Sequence, residues 1–435
     1  MKARLPLLAA LVVAIAPVKA MAQAWVGNSD FSEGVGIRTG NLELHPSVGA
    51  EFGYDSNFLR ASAQEGRVEA LKLRVTPSLT LSTLGTARRN ATTPPDVTFA
   101  GSAYASYFEL FPLDSQYDDI RSRRNVALGL DAKLDAFPKG KVGFDLGGGY
   151  VRVIQGEGAT DNLTSEGFNR DTVRGQTGVT WRPGGGLFEW RLGYGITYNF
   201  FESARYERLA NLSHEIGTRG RWRFLPRSAL LFDSTYGLLR YTNGGATPAD
   251  GDTIRSRVGF HGLVTYHLAL LGMVGWGSSF YKPTGALTAP RQFDAPIANA
   301  EVRWFIQARP NLDQTTVTSG ISSVALGYTR SFSNSYFGSF YQSDRGYAQV
   351  STFLVGAVAA GAELGVSRVA FPDVPPEGAF EQLRIDARAF GEYRFTETLA
   401  GNLTVNYDQV NGPIVAQENL DYKRWQAYLG VRWFM

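Results

Sequence analysis

The chain has no cysteine, so it has no disulfide, no thiolate metal site, no thiol nucleophile and no lipobox. Its four histidines, His45, His214, His261 and His267, lie far apart without an HxxxH-like spacing, and no metal site is expected. Long apolar runs are missing after the first two dozen residues. Nothing there approaches the ~20 apolar residues of a membrane helix. Repeats of apolar residues at three and four, the mark of amphipathic helices, are scarce as well. Nor is there an excess of one charge. Of 43 basic residues, Lys2, Arg4 and Lys19 fall in the leader, which leaves 40 against 40 acidic ones. Overall charge therefore gives nucleic-acid binding no support.

What the chain does have begins with a leader. Lys2 and Arg4 precede an apolar run from Leu5 to Ala16, and Ala20, Ala22 and Ala24 offer cleavage after Ala22 or Ala24. The run is too short to span a bilayer, so residues 1–24 read as a secretory signal peptide. Residues 25–41 are then a periplasmic N-terminal segment, and 42–435 form one further domain.

That domain alternates. From Leu420 to Met435, Lys423, Trp425, Ala427, Leu429, Val431, Trp433 and Met435 share one face, while Arg424, Gln426, Tyr428, Arg432 and Phe434 share the other. A period of two with one apolar face and one polar face describes a strand between two different solvents. About eighteen such blocks recur, from 42–54, 69–81 and 98–109 to 382–395, 399–408 and 421–435. Short connections (136–140, 183–186, 225–227, 396–398) alternate with long polar ones (155–170, 242–253, 282–295, 371–381, 409–420). Two connections on the short side, 82–97 and 308–319, are long, and merging one split strand would give sixteen instead. The abundance of glycine (49 residues) and aromatics (13%) fits twisted strands with aromatic girdles.

The fold expected is all-β, a transmembrane antiparallel up-and-down β-barrel with its short turns in the periplasm of a Gram-negative cell. A water-soluble β-sandwich also alternates, but it has no need of aromatic belts. Here Trp181, Trp190, Trp222, Trp276, Trp304, Trp425 and Trp433 stand near block ends on the apolar phase, as membrane-interface aromatics do.

The opposite phase faces the lumen. It carries Arg74, Arg174, Arg219, Arg221, Arg223, Arg255, Arg257, Arg303, Arg384, Arg388, Arg394, Arg424 and Arg432. So many cations exclude a dry core. Either the wall is braced by carboxylates such as Glu189, Glu215, Glu301, Asp386 and Glu392, or it forms a wet positive stripe favouring anionic or hydroxyl-rich polymers. Tyr428 and Phe390 are candidates for stacking on sugar rings. No catalytic constellation is found. The stretch nearest to a barrel phospholipase, Tyr54-Asp55-Ser56-Asn57, lacks the histidine, so an enzyme is not expected and no cofactor is implied.

The run Gly36-Ile37-Arg38-Thr39-Gly40, followed by His45-Pro46-Ser47 and Tyr54-Asp55-Ser56-Asn57, resembles the opening of β-barrel porins often encoded with exopolysaccharide genes. Leu326-Gly327-Tyr328-Thr329-Arg330 and Glu363-Leu364-Gly365-Val366-Ser367-Arg368 look similar too. A myxobacterial subset of these is similar to the barrel part of the poly-N-acetylglucosamine exporter. The resemblance implies an outer-membrane exit for capsule, spore-coat or biosurfactant polysaccharide. It also implies a periplasmic polysaccharide-export protein, an inner-membrane co-polymerase and the barrel assembly machinery as partners, beside outer-membrane lipid. Against export stands a diffusion or substrate-specific porin for small solutes. A third possibility is an adhesive barrel plugged by loops 155–170 and 282–295.

Overall fold

The computed structural model describes residues 36–435 except 63–65, 85–94, 115–124, 154–168, 203, 205, 244–248, 286–287, 307–321, 336–337, 355–357, 375–377, 416–417 and 420. The expected signal peptide and most of segment 25–41 lie outside the described residues. The strands are β1 (Ile37–Thr39), β2 (Leu42–Asp55), β3 (Ala70–Thr83), β4 (Val97–Pro112), β5 (Asn125–Ala136), β6 (Val142–Val153) and β7 (Arg170–Trp181). They continue as β8 (Phe188–Phe201), β9 (Asn211–Leu225), β10 (Ser228–Tyr241), β11 (Gly251–Leu263), β12 (Leu268–Tyr281), β13 (Asp294–Phe305) and β14 (Ser322–Asn334). The last are β15 (Phe340–Leu354), β16 (Val358–Val374), β17 (Gly378–Arg394), β18 (Leu399–Asn411), β19 (Ile414–Val415), β20 (Glu418–Asn419) and β21 (Tyr422–Phe434).

Each long strand pairs antiparallel with its sequence neighbour, and β2 pairs with β21 as well as with β3. Val48 opposes Trp433 and Asp55 opposes Gln426 across that seam. The ring is therefore closed by eighteen strands, β2–β18 and β21. Closure removes every free sheet edge, the condition for a sheet to lie in lipid. β1 is only a short hairpin arm on the start of β2, and β19–β20 is a separate two-stranded piece.

The long connections 84–96 and 306–321 do join separate strands, so the count is eighteen and not sixteen. One expected loop is corrected. Of 371–381, read as loop from Pro372, Pro375 and Pro376, most belongs to β16 and β17. Those two strands run 17 residues each, well past the ~9–11 a bilayer needs, and a bulge between Phe371 and Val374 absorbs the irregularity. Phe371 stacks on Phe380 at 4.6 Å, which holds the extension together. At the other end, β7 passes into β8 through a short turn, Pro183–Gly186. Gly184 and Gly185 there have φ of 65° and 69°, a left-handed backbone that favours glycine.

The barrel is turned inside out relative to a globular domain. Large apolar side chains stand outside: Leu146 is 59% exposed, Val258 63%, Val274 64% and Leu429 68%. A continuous apolar surface of this extent fits lipid and not water. Among the described residues the buried apolar clusters gather at the long-loop end. One joins Tyr281, Phe293, Phe332 and Phe340, and another joins Phe58, Val68, Ala70 and Leu110.

Candidate functional site

Strand alternation decides which side chains enter the lumen. On β9, Ile216, Trp222 and Phe224 are exposed on the apolar outside, which puts Glu215, Arg219, Arg221 and Arg223 inside. Glu215 and Arg219 are also exposed, although they point inward. The same holds for Arg174 and Gln176 on β7, Lys133 on β5 and Arg388 on β17. Exposure on an inward face means solvent-filled space.

Most of the expected lumen arginines meet a carboxylate. Arg74 binds Glu51, Arg174 binds Asp131, and Arg221 reaches Glu189 at 3.3 Å. Arg257 grips Asp233 with two bonds of 3.0 and 2.9 Å, and Arg384 grips Asp408 at 3.1 and 3.2 Å. Arg303 pairs with Glu301 at 3.0 Å. Glu392 takes both Arg394 at 3.1 Å and Arg432 at 3.6 Å. Arg424 lies on Asp55. Bracing by carboxylates, one of the two arrangements expected of this wall, thus accounts for most of the row. Glu189, Glu301, Asp386 and Glu392 act as braces, whereas Glu215 makes no ion pair among the described residues.

Three arginines differ. Arg219 and Arg223 form no ion pair among the described residues. Arg255 donates to the Phe332 carbonyl at 3.0 Å and sits 4.4 Å over the Phe332 ring. Because β9 holds Arg219, Arg221 and Arg223 at alternate positions and Glu189, which pairs with Arg221, is shared with Arg182, this wall keeps a local cationic excess.

Arg191 and Arg345 also lie inside and were not among those expected. Arg191 binds Asp145 through Nε at 2.9 Å and Nη2 at 2.5 Å, and Arg345 joins Glu363 (2.7 Å) to Asp386 (2.8 Å). The apolar phase of Trp190 and Leu192 was enough to place Arg191 inside. Arg345 sits in a block polar on both phases, which hides it. Glycines seat both groups: a Cβ on Gly193 or Gly365 would overlap the guanidinium of Arg191 or Arg345.

The seam is built differently. Arg424 and Asp55 are 6% and 0% exposed, and Arg424 Nε donates to Asp55 at 2.9 Å. Ser56 and Trp425 exchange two bonds, Ser56 N–H to the Trp425 carbonyl at 2.9 Å and Trp425 N–H to Ser56 Oγ at 2.7 Å. Asn57 Nδ2 donates to the Ala61 carbonyl at 2.7 Å and to the Lys423 carbonyl at 3.3 Å. The Asp55-Ser56-Asn57 stretch therefore joins the two chain ends of the barrel. At the opposite end, Met435 N–H donates to Pro46 O at 3.0 Å and His45 Nδ1 lies 3.2 Å from Met435 O.

Loops narrow the mouth. Asn57, Ala61 and Ser62 of the β2–β3 connection are buried, and so is Phe293 of the β12–β13 connection. Asp373 accepts bonds from Arg291 N–H (2.7 Å) and Ser339 Oγ–H (2.6 Å), tying the β12–β13 and β14–β15 connections to the end of β16. The other loop named for a plug, 155–170, lies almost wholly outside the described residues.

On the exterior, Trp181, Trp222, Trp304 and Trp433 are exposed at the short-turn end, with Trp190 beside Trp181. Trp276 and Trp425 are exposed at the long-loop end. Trp276 Nε1 donates to Asp294 at 2.6 Å there, an indole with one polar partner beside an apolar wall.

No family model matches the chain, and no curated protein matches it. The resemblance to exopolysaccharide-associated porins thus finds no counterpart. Similar solved structures include Pseudomonas aeruginosa OpdK with vanillate (12% identity, TM-score 0.47, 90% of this chain and 98% of that one). Acinetobacter baumannii OccAB4 is similar at 10% identity and TM-score 0.45, again over 90% and 98%. Pseudomonas aeruginosa OprD follows at 8% identity and TM-score 0.43, over 91% and 95%. At such values the closure of this barrel rests on its own strand pairing, and its function on its own side chains.

Proposed function

We propose that the protein is a passive channel for small polar solutes in an outer membrane, with a bias toward anions. The observation that carries this reading is the set of charged side chains that point inward and remain exposed: Lys133, Arg174, Glu215, Arg219 and Arg388. A charged side chain that faces inward and stays exposed is in contact with water, so water fills the space they share; a dry interior would make these charges very costly. A wet cylinder wrapped in apolar side chains conducts whatever fits. The unneutralised Arg219 and Arg223 raise the local concentration of anions over that of cations.

Export of a polysaccharide, which the sequence resemblance favours, has no family match behind it. The inward-packed Phe58 and Phe293 loops also narrow the route a polymer needs. Purified protein in a planar bilayer should show steady conductance with anions more permeant than cations. A deletion strain should lose small-anion uptake and keep its secreted glycan. Loss of a surface glycan with small-solute uptake intact would overturn the channel reading in favour of export, with its periplasmic and inner-membrane partners.

A further inference from the structure

One sector of the lumen wall carries a recess of another kind. Between β2–β4 and β17, β18 and β21 lies a cavity of about 390 Å³, within the roughly 300–1,000 Å³ of small-ligand pockets. Its lining is mostly uncharged hydrogen-bonding groups and rings, among them Tyr104, Phe390, Asn402, Thr404, Asn406 and Gln426, together with Arg74, Arg388 and Arg432, the last held by Glu392. The one lining carboxylate, Glu51, is already occupied: Arg74 binds one oxygen, and Asn402 Nδ2 donates to the other at 2.7 Å. The Tyr428 hydroxyl takes a bond from Gln426 at 3.0 Å, and its ring is buried. Tyr104 and Phe390 are only half-buried, so their faces still meet the lumen. Across the barrel, the cavity beside β9 has a single amide, Gln176, in its lining and two carboxylates, Glu215 and Asp233, among Arg191, Arg219 and Arg257.

We propose that the seam-side recess is a binding site for a neutral, hydroxyl-rich ring of the pyranose type. Such a ring has a C–H face and a rim of hydroxyls. Aromatic faces suit the first, and amide and hydroxyl side chains suit the second because they both donate and accept. The proposal rests on the channel reading for its access route and adds the solute class. A free small sugar and one unit of a longer glycan present the same ring, and the chemistry of the site is the same for both.

The test uses the full-length barrel in two assays, with maltose, maltoheptaose and benzoate as probes. In a planar bilayer, maltose should reduce the ion current saturably, with half-saturation on the order of millimolar. In detergent, saturation-transfer NMR should detect maltose contact independently of conduction. Phe390→Ala should raise the half-saturating maltose concentration about fivefold while the pore still conducts in sugar-free salt. Asn406→Ala provides a second variant if the first assembles poorly, and should move the value in the same direction by about threefold. Equal half-saturation for both sugars identifies the free sugar as the source, and tighter block by maltoheptaose identifies a chain segment. Sugar-dependent transfer in a barrel that passes no ions would uphold the site and sink the channel. A conducting barrel indifferent to both sugars, or saturated by benzoate alone, would overturn the site.

Discussion

At the β2–β21 seam, Arg424 and Asp55 are sealed from solvent, whereas half-way round the ring Arg257 and Asp233 keep 33% and 20% of their side-chain surface. Both are arginine–aspartate pairs with double hydrogen bonds. Burial separates their roles. A sealed pair that loses one member leaves an uncompensated charge, while a wet pair leaves one that water can solvate. The seam uses charge to hold the chain ends in register, and the wall around β9 uses it to face the lumen.

The largest effect that tests this contrast is Arg424→Ala. It should destabilise the barrel by about 3–5 kcal/mol, read from urea unfolding out of lipid vesicles. Next in size is charge reversal on the far wall. Arg219→Glu with Arg223→Glu should shift the anion-to-cation permeability ratio about threefold or more toward cations, with stability little changed. The smallest effect belongs to Arg257→Ala, which should cost about 1 kcal/mol or less in the same unfolding assay. A loss there as large as that of Arg424→Ala would erase the distinction between the two walls.

The strands were legible because lipid and water impose a period of two. On β9 the phase of Ile216, Trp222 and Phe224 places Glu215 and three arginines without any coordinates. Ion-pair partners were not legible, because they depend on the register between strands. Asp145 and Arg191 are 46 residues apart, and Arg345 and Asp386 are 41 apart. Proline misled at 371–381, where β16 and β17 continue past the bilayer with the help of the Phe371–Phe380 stack. The inward packing of Phe58 and Phe293 left no mark in the alternation, since loops carry no period. Of the seam, Asp55-Ser56-Asn57 stood out as a motif, but only the pairing of the first and last barrel strands shows what it holds.

The lack of native cysteine allows the most direct test. Single cysteines placed in turn from Glu215 to Trp222, in barrels reconstituted in vesicles, can be probed with a charged, membrane-impermeant thiol reagent. Labelling should alternate, strong at positions 215, 217, 219 and 221 and weak at 216, 218, 220 and 222. Uniform protection along the strand would mean a dry interior, and reactivity at every position would mean that no lipid covers the outside. Either result would contradict a wet lumen inside an apolar shell.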